Sequence, residues 1–195
     1  MKNSFKKIAG LLMIAAIAGT SVNAQTKKSM TPTATVVVGG EAMFPKKNIV
    51  ENAVNSKDHT TLVAAVKAAD LVATLQTAGP FTVFAPVNDA FENLPAGTVE
   101  TILKPENKAT LVAVLTYHVI SGTYDFNALK ELIKKGNGTG KLKTVQGEEL
   151  WVMMNGEHNI QIKDAKGNVA NISTYDVYQS NGVIHVIDKV LMPSM

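Results

Sequence analysis

Apolar and polar residues recur along this chain in two different periods, and the period changes past its middle. In the first half the spacing is helical. Leu62, Val66 and Ala69 fall on one face, with Val63 widening the stripe, and Asp58 or Thr60 is placed to cap that helix at its start. Further short helices are expected over residues 49–54, 71–75, 98–103 and 109–115, punctuated by Gly79-Pro80 and Pro105. Residues 81–84 read as a buried strand halted by Pro86, and residues 117–120 as a strand turned by Gly122. Phe126, Leu129, Leu132 and Ile133 restore helical spacing, and a glycine-rich loop is expected over 134–140. Beyond it the period becomes that of strands, over 142–145, 150–154, 160–163, 169–172 and 183–190. Asn155-Gly156 reads as a hairpin turn, and Lys166-Gly167-Asn168 and Asn181-Gly182 as turns between strands. Helices first and an antiparallel sheet afterwards make the fold class α+β.

The N-terminus follows another logic. Lys2, Lys6 and Lys7 precede an apolar run over 8–18, and Val22-Asn23-Ala24 supplies small residues for cleavage. This is the pattern of a secretory signal peptide, 1–24. The run of about 11 residues is short of the roughly 20 that span a bilayer. The expected location is therefore secreted or periplasmic. Residues 25–41 read as a flexible N-terminal arm with a short strand-like stretch, 35–38, ended by Gly39-Gly40. Residues 42–195 read as a single domain.

Removing the signal peptide takes three lysines and leaves lysines and acids equal in number, so the basic balance of the whole chain calls for no nucleic-acid partner. Arginine is absent, which weakens nucleic-acid and phosphate-clamp functions that lean on its forked contacts. Cysteine is absent too, which excludes disulfides, thiolate metal sites and an acylated N-terminal cysteine. His59, His118, His158 and His185 show no short zinc-ligand spacing. Ser121, Ser173 and Ser180 lie in no nucleophile elbow, and residues 136–141 lack the ending of a phosphate loop. No cofactor and no metal is expected. Trp151 and Met153 share one strand face, which is expected to pack into the core. If that face were open it would suit a partner or a polysaccharide.

Three longer motifs carry more information. The stretch Thr82-Val83-Phe84-Ala85-Pro86-Val87-Asn88-Asp89-Ala90-Phe91 is one, and Leu115-Thr116-Tyr117-His118-Val119-Ile120 the next. The closing stretch runs from Asn181-Gly182-Val183-Ile184-His185 to Pro193. In this order they resemble the signature blocks of the fasciclin-like domain family, over roughly residues 49–193. The resemblance implies a twisted antiparallel β-sandwich or wedge flanked by short N-terminal helices. It also implies a non-enzymatic binding or adhesion module at the cell surface, in the periplasm or in the extracellular matrix. Its partner would be a protein or a polysaccharide. By motif match the pair linked to adhesion in animal members falls on Tyr117 and His118, with Asn88 and Asp89 as neighbouring candidates. Val87 stands where the family often carries threonine, which removes one local hydrogen bond. Two alternatives stay open: a small-molecule-binding or enzymatic domain with a pocket near His118, and a purely structural interaction domain.

Overall fold

The computed structural model describes residues 34–194, so the expected signal peptide and the first part of the arm, 25–33, lie outside the described residues. A small hairpin comes first. β1 (Val36–Val38) pairs with β2 (Glu41–Met43) around Gly39 and Gly40, whose positive φ values a residue with a side chain rarely adopts. The helical part follows as α1 (Ile49–Ala53), α2 (Thr60–Ala68) and α3 (Val72–Leu75). α1 opens with a capping box: the Asn48 side chain accepts from the Glu51 N–H at 2.9 Å, and the Glu51 carboxylate accepts from the Asn48 N–H at 2.8 Å. β3 (Phe81–Pro86) leads to α4 (Asn88–Glu92), α5 (Thr98–Ile102), α6 (Lys108–Tyr117), β4 (Val119–Ser121) and α7 (Phe126–Lys135). The chain ends in β5 (Thr139–Lys143), β6 (Glu149–Asn155), β7 (Asn159–Lys163), β8 (Val169–Gln179) and β9 (Gly182–Ile187).

One seven-stranded sheet, ordered β4-β3-β9-β8-β7-β6-β5, holds the second half together. The expected antiparallel pairing holds at every neighbour but one: β3 and β9 run parallel, Phe81 opposite Gly182 through Pro86 opposite Ile187. Their separation in sequence permits this, since a parallel pair needs a long crossover. Both strands are buried on two faces, which explains their near-continuous apolar runs. Gly182 is required by that closeness: a Cβ there would meet the Phe81 carbonyl oxygen at 2.1 Å. β8 bulges between Ile172 and Val177, and the bulges bend the sheet over itself. A bridge from Ile120 to Thr144, with the Val145 N–H donating to the Val119 carbonyl at 2.8 Å, brings the two edges together into a nearly closed barrel.

The curled sheet and α7 enclose one core, with Phe84, Tyr117, Leu129, Leu150 and Ile160 at its centre. The opposite face of β3 and β9 packs Val83, Ala85, Ile184 and Val186 under Ile49 and the hairpin. α2 and α6 share a third cluster around Ala65 and Leu111.

Several expectations shift in detail. Tyr117 and His118 do not begin a strand. Tyr117 ends α6 and His118 caps it, its N–H donating to the Leu115 carbonyl at 3.1 Å, so the helix outlasts the strand-like residue types. The loop over 134–140 shrinks to residues 136–138. β8 runs on past Ile172 to Gln179, carrying Tyr175 and Tyr178 with it. Trp151 is not core. Leu150 and Val152 point inward, so alternation sends Trp151 and Met153 to the outer face, where they stay half-buried.

Candidate functional site

Tyr117 and His118 sit where α6 runs into the sheet, and both are buried. The Tyr117 hydroxyl donates to the Glu149 carbonyl at 2.9 Å and accepts the Ala165 N–H at 2.9 Å. It thereby ties the start of β6 to the turn after β7. Burial pushes its pKa up to about 12, so the phenol stays neutral. His118 Nδ1 lies 2.8 Å from the Val114 carbonyl, and Nε2 accepts the Leu191 N–H at 2.9 Å. A carbonyl only accepts, so Nδ1 carries the proton and Nε2 does not. Burial lowers the pKa of His118 to about 4, against the weaker raising effects of the Val114 bond and Asp164. The two side chains therefore act downward and sideways into the fold. What they hold is a surface of three segments: residues 144–149, residues 164–168 and the C-terminal stretch 190–194. These segments also hold one another. Asp164 accepts from the Met192 N–H at 3.0 Å, and Glu148 from the Ser194 N–H at 2.9 Å.

Asn88 and Asp89 stand apart from that pair. Among the described residues neither hydrogen-bonds to His118. The Asn88 side chain reaches back to the start of α2. Its oxygen accepts from the Thr61 N–H at 3.1 Å and the Thr60 hydroxyl at 3.2 Å, and its amide donates to the Lys57 carbonyl at 2.8 Å. Neither Asp58 nor Thr60 caps α2, because Asn88 supplies that cap from a distant segment. Asp89 is exposed on α4. The N-cap of α4 is Val87, which gives no side-chain cap, the bond a threonine there would offer. Asn88→Ala is expected to cost about 1–2 kcal/mol, the usual worth of an N-cap. Urea denaturation of the variant beside the parent measures it, and an unchanged midpoint would refute the capping role.

A half-enclosed cavity of about 210 Å³ lies on the other side of β3. Its walls come from α1, α2, α3, the hairpin and the outer faces of β3 and β9, with Ile49, Leu62, Val66, Phe81 and Ile184 prominent. The carbon edge of His118 reaches one wall, while both its nitrogens are engaged elsewhere. The second histidine of the wall is His59, which sequence reasoning weighed only as a metal ligand. It sits in a one-turn 3₁₀ segment, and only the folded helices around it bury it.

His185 is buried in β9 and fully satisfied. Its Nε2 lies 2.8 Å from the Tyr124 carbonyl, and its Nδ1 accepts a long bond, 3.4 Å, from the Asp176 N–H. Burial lowers its pKa. No three histidine, aspartate or glutamate side chains among the described residues gather as a metal site. No helix among the described residues is long and apolar enough to cross a membrane.

Comparison with known proteins agrees with this geometry. A family described as "Fasciclin domain" matches residues 57–193. Protein sll1483 of Synechocystis sp. is 47% identical over 161 residues, covering 82% of this chain and 81% of that protein. Immunogenic protein MPT70 of Mycobacterium tuberculosis is 32% identical, covering 83% of this chain and 76% of its own length. Human periostin is 28% identical over 149 residues, which are 16% of periostin. Among solved structures, a FAS1 domain pair from the insect cell adhesion molecule fasciclin I superposes with a TM-score of 0.67 at 18% identity. That match covers 76% of this chain and 52% of the pair. At that identity the match speaks for the fold.

Proposed function

This chain belongs to the fasciclin domain family, and we propose that it is an exported, non-enzymatic recognition domain. The family's domains are generally non-enzymatic adhesion modules, which supports the reading. The signal-peptide pattern of residues 1–24 supports export. Recognition is assigned to the surface over residues 144–149, 164–168 and 190–194. The observation that carries it is the Tyr117 hydroxyl, which joins two of these segments from beneath by bonds to Glu149 and Ala165. The family's Tyr-His pair is then a pair of positioning residues: it fixes the loops, and the loops meet the partner.

A second reading rests on the outer sheet face. There Trp151 lies in register between Lys141 and Lys163, an aromatic platform with a cation on either side. Such a platform suits a polysaccharide carrying acidic groups.

One experiment separates the two. The purified protein is immobilised, and extracellular-polysaccharide and cell-envelope fractions are passed over it beside the folded variants Lys166→Glu and Trp151→Ala. Loss of about tenfold or more in affinity with Lys166→Glu alone locates recognition on the loops. Loss with Trp151→Ala alone moves it to the sheet face. Parent-like binding by both variants contradicts both surfaces.

A further inference from the structure

The recognition reading leaves the cavity beneath α1–α3 without a role. Its inner wall is apolar, and both of its histidines present only carbon to it. The His118 nitrogens are engaged by Val114 and Leu191. His59 Nδ1 is paired with the Ser56 hydroxyl, and His59 Nε2, without a bond of good geometry, is turned to the Ala85 backbone. Ile49 and Ile184 are buried at the floor, whereas Leu62 and Val66 stay half-buried over it. Close packing normally leaves few voids larger than a water molecule, so an apolar space of about 210 Å³ calls for an occupant. A dry apolar cavity of about 150 Å³ takes the six carbons of benzene. In proportion, about 210 Å³ takes about eight carbons.

The rim adds a charge to this picture. Its exposed residues include Val54, Val145 and Lys67, and Lys67 is the one charged residue of the whole lining. Lys67 stands on the last turn of α2 and joins no ion pair among the described residues. Its methylene stem belongs to the wall, and its ammonium stays in solvent, the usual division for a long cationic side chain beside an apolar surface. The cavity thus joins an uncharged interior to a single cation outside.

We propose that this cavity holds a single-chain fatty carboxylate of medium length, its chain inside and its carboxylate at the rim on Lys67. A carboxylate at depth would be buried unpaired, so the head stays outside. One lysine, in a chain without arginine, suits a singly charged head and not a phosphate clamp. The volume is too small for a two-chain lipid or a docked helix. The site adjoins the loop surface through Val145, which belongs to both. The assignment nevertheless rests on the cavity and Lys67, and its test contains no partner, so its failure is distinguishable from failure of the recognition reading.

The test is titration of the methyl-labelled protein with decanoate, octanoate and decyltrimethylammonium, at low ionic strength and below micelle-forming concentrations, followed by NMR. Decanoate should give saturable shifts at the methyls of Leu62, Val66 and Ile184. Intermolecular NOEs should run from its terminal methyl to Ile49 or Ile184, and from the methylene beside its carboxylate to Val54 or Val145. Octanoate, two methylenes shorter, should bind about tenfold more weakly. Decyltrimethylammonium should bind about fivefold more weakly than decanoate, the scale of one exposed ion pair. Lys67→Gln should level that preference between heads, and Val66→Phe, which fills the space, should abolish binding of all three. If Val66→Phe does not fold, the NOEs to the parent protein decide the location. The proposal is overturned by the absence of saturable shifts with decanoate, by equal affinity for the two heads, by a preference that survives in Lys67→Gln, or by binding that survives in folded Val66→Phe. Shifts of the same methyls that vary with protein concentration alone would seat a second copy of the chain there, and would overturn it as well.

Discussion

Acidifying the protein from about pH 7 to about pH 4 is expected to remove roughly 3 kcal/mol of stability through His118 alone. In the unfolded chain this histidine takes up its proton near 6.5, whereas in the fold it does so only near about 4. The folded state therefore binds fewer protons than the unfolded state throughout that window, and stability falls as the pH falls through it. Each unit of pKa difference is worth about 1.4 kcal/mol, which gives the figure. The physical cause is burial first. In addition, a second proton on the ring would set Nε2–H against the Leu191 N–H it now accepts. His59 and His185, whose pKa values are also lowered by burial, push in the same direction. Asp176 opposes them: burial raises its pKa, so falling pH relieves an unfavourable charge. Glu148, held low by the Ser194 backbone, adds a loss as it protonates at the acid end. Urea midpoints across the pH series measure the sum. A flat profile between about pH 6.5 and pH 4 would contradict the placement of His118.

Tyr117→Ala is expected to cost about 4–5 kcal/mol, close to the whole stability of many domains. Large aromatic truncations in cores cost about 3–5 kcal/mol through lost burial and the cavity left behind. Here the loss includes the partners of the hydroxyl, the Glu149 carbonyl and the Ala165 N–H. Tyr117→Phe keeps the ring and removes only those two bonds, so about 1–3 kcal/mol is expected of it. The milder variant is the informative one for function. It should fold, yet leave residues 144–149 and 164–168 unbraced, with faster amide exchange in both segments. If the exchange of both stays as in the parent protein, Tyr117 is a packing residue and no more.

Much of the fold was readable because its apolar period is strong where one face alone is buried. α7 is the clearest case: Leu129 and Ile133 lie inward and lysines mark its last turn. The hairpin of β6 and β7 is another, announced by Asn155-Gly156. Reading failed where burial has two sides or where a distant residue acts. The run Val183 to Ile187 is apolar on both faces, so it marks a strand but hides its parallel neighbour. Trp151 was assigned inward because large aromatics usually are, yet its face is decided by Leu150 and Val152 beside it. The cap of α2 comes from Asn88, 27 residues away from the Thr61 N–H it receives, which no local pattern reveals.

The candidate site was legible only in part, and for the same reason. The motifs drew attention to Tyr117, His118, Asn88 and Asp89, but adjacency in motif blocks is not adjacency in space. Tyr117 and His118 face into the barrel end, Asn88 faces α2, and Asp89 faces outward. His59 carries no motif at all. Its unpartnered nitrogen is a property of the folded packing, created where the start of α2 meets the end of β3.

The central claim is that the Tyr-His pair braces the fold from inside. The most direct measurement is long-range ¹H–¹⁵N NMR of the His118 ring over a pH titration. One neutral tautomer is predicted, protonated at Nδ1 and unprotonated at Nε2, persisting until about pH 4. A ring that exchanges between tautomers and titrates near 6.5 would mean that His118 is open to solvent, and that the bracing of these loops is wrong.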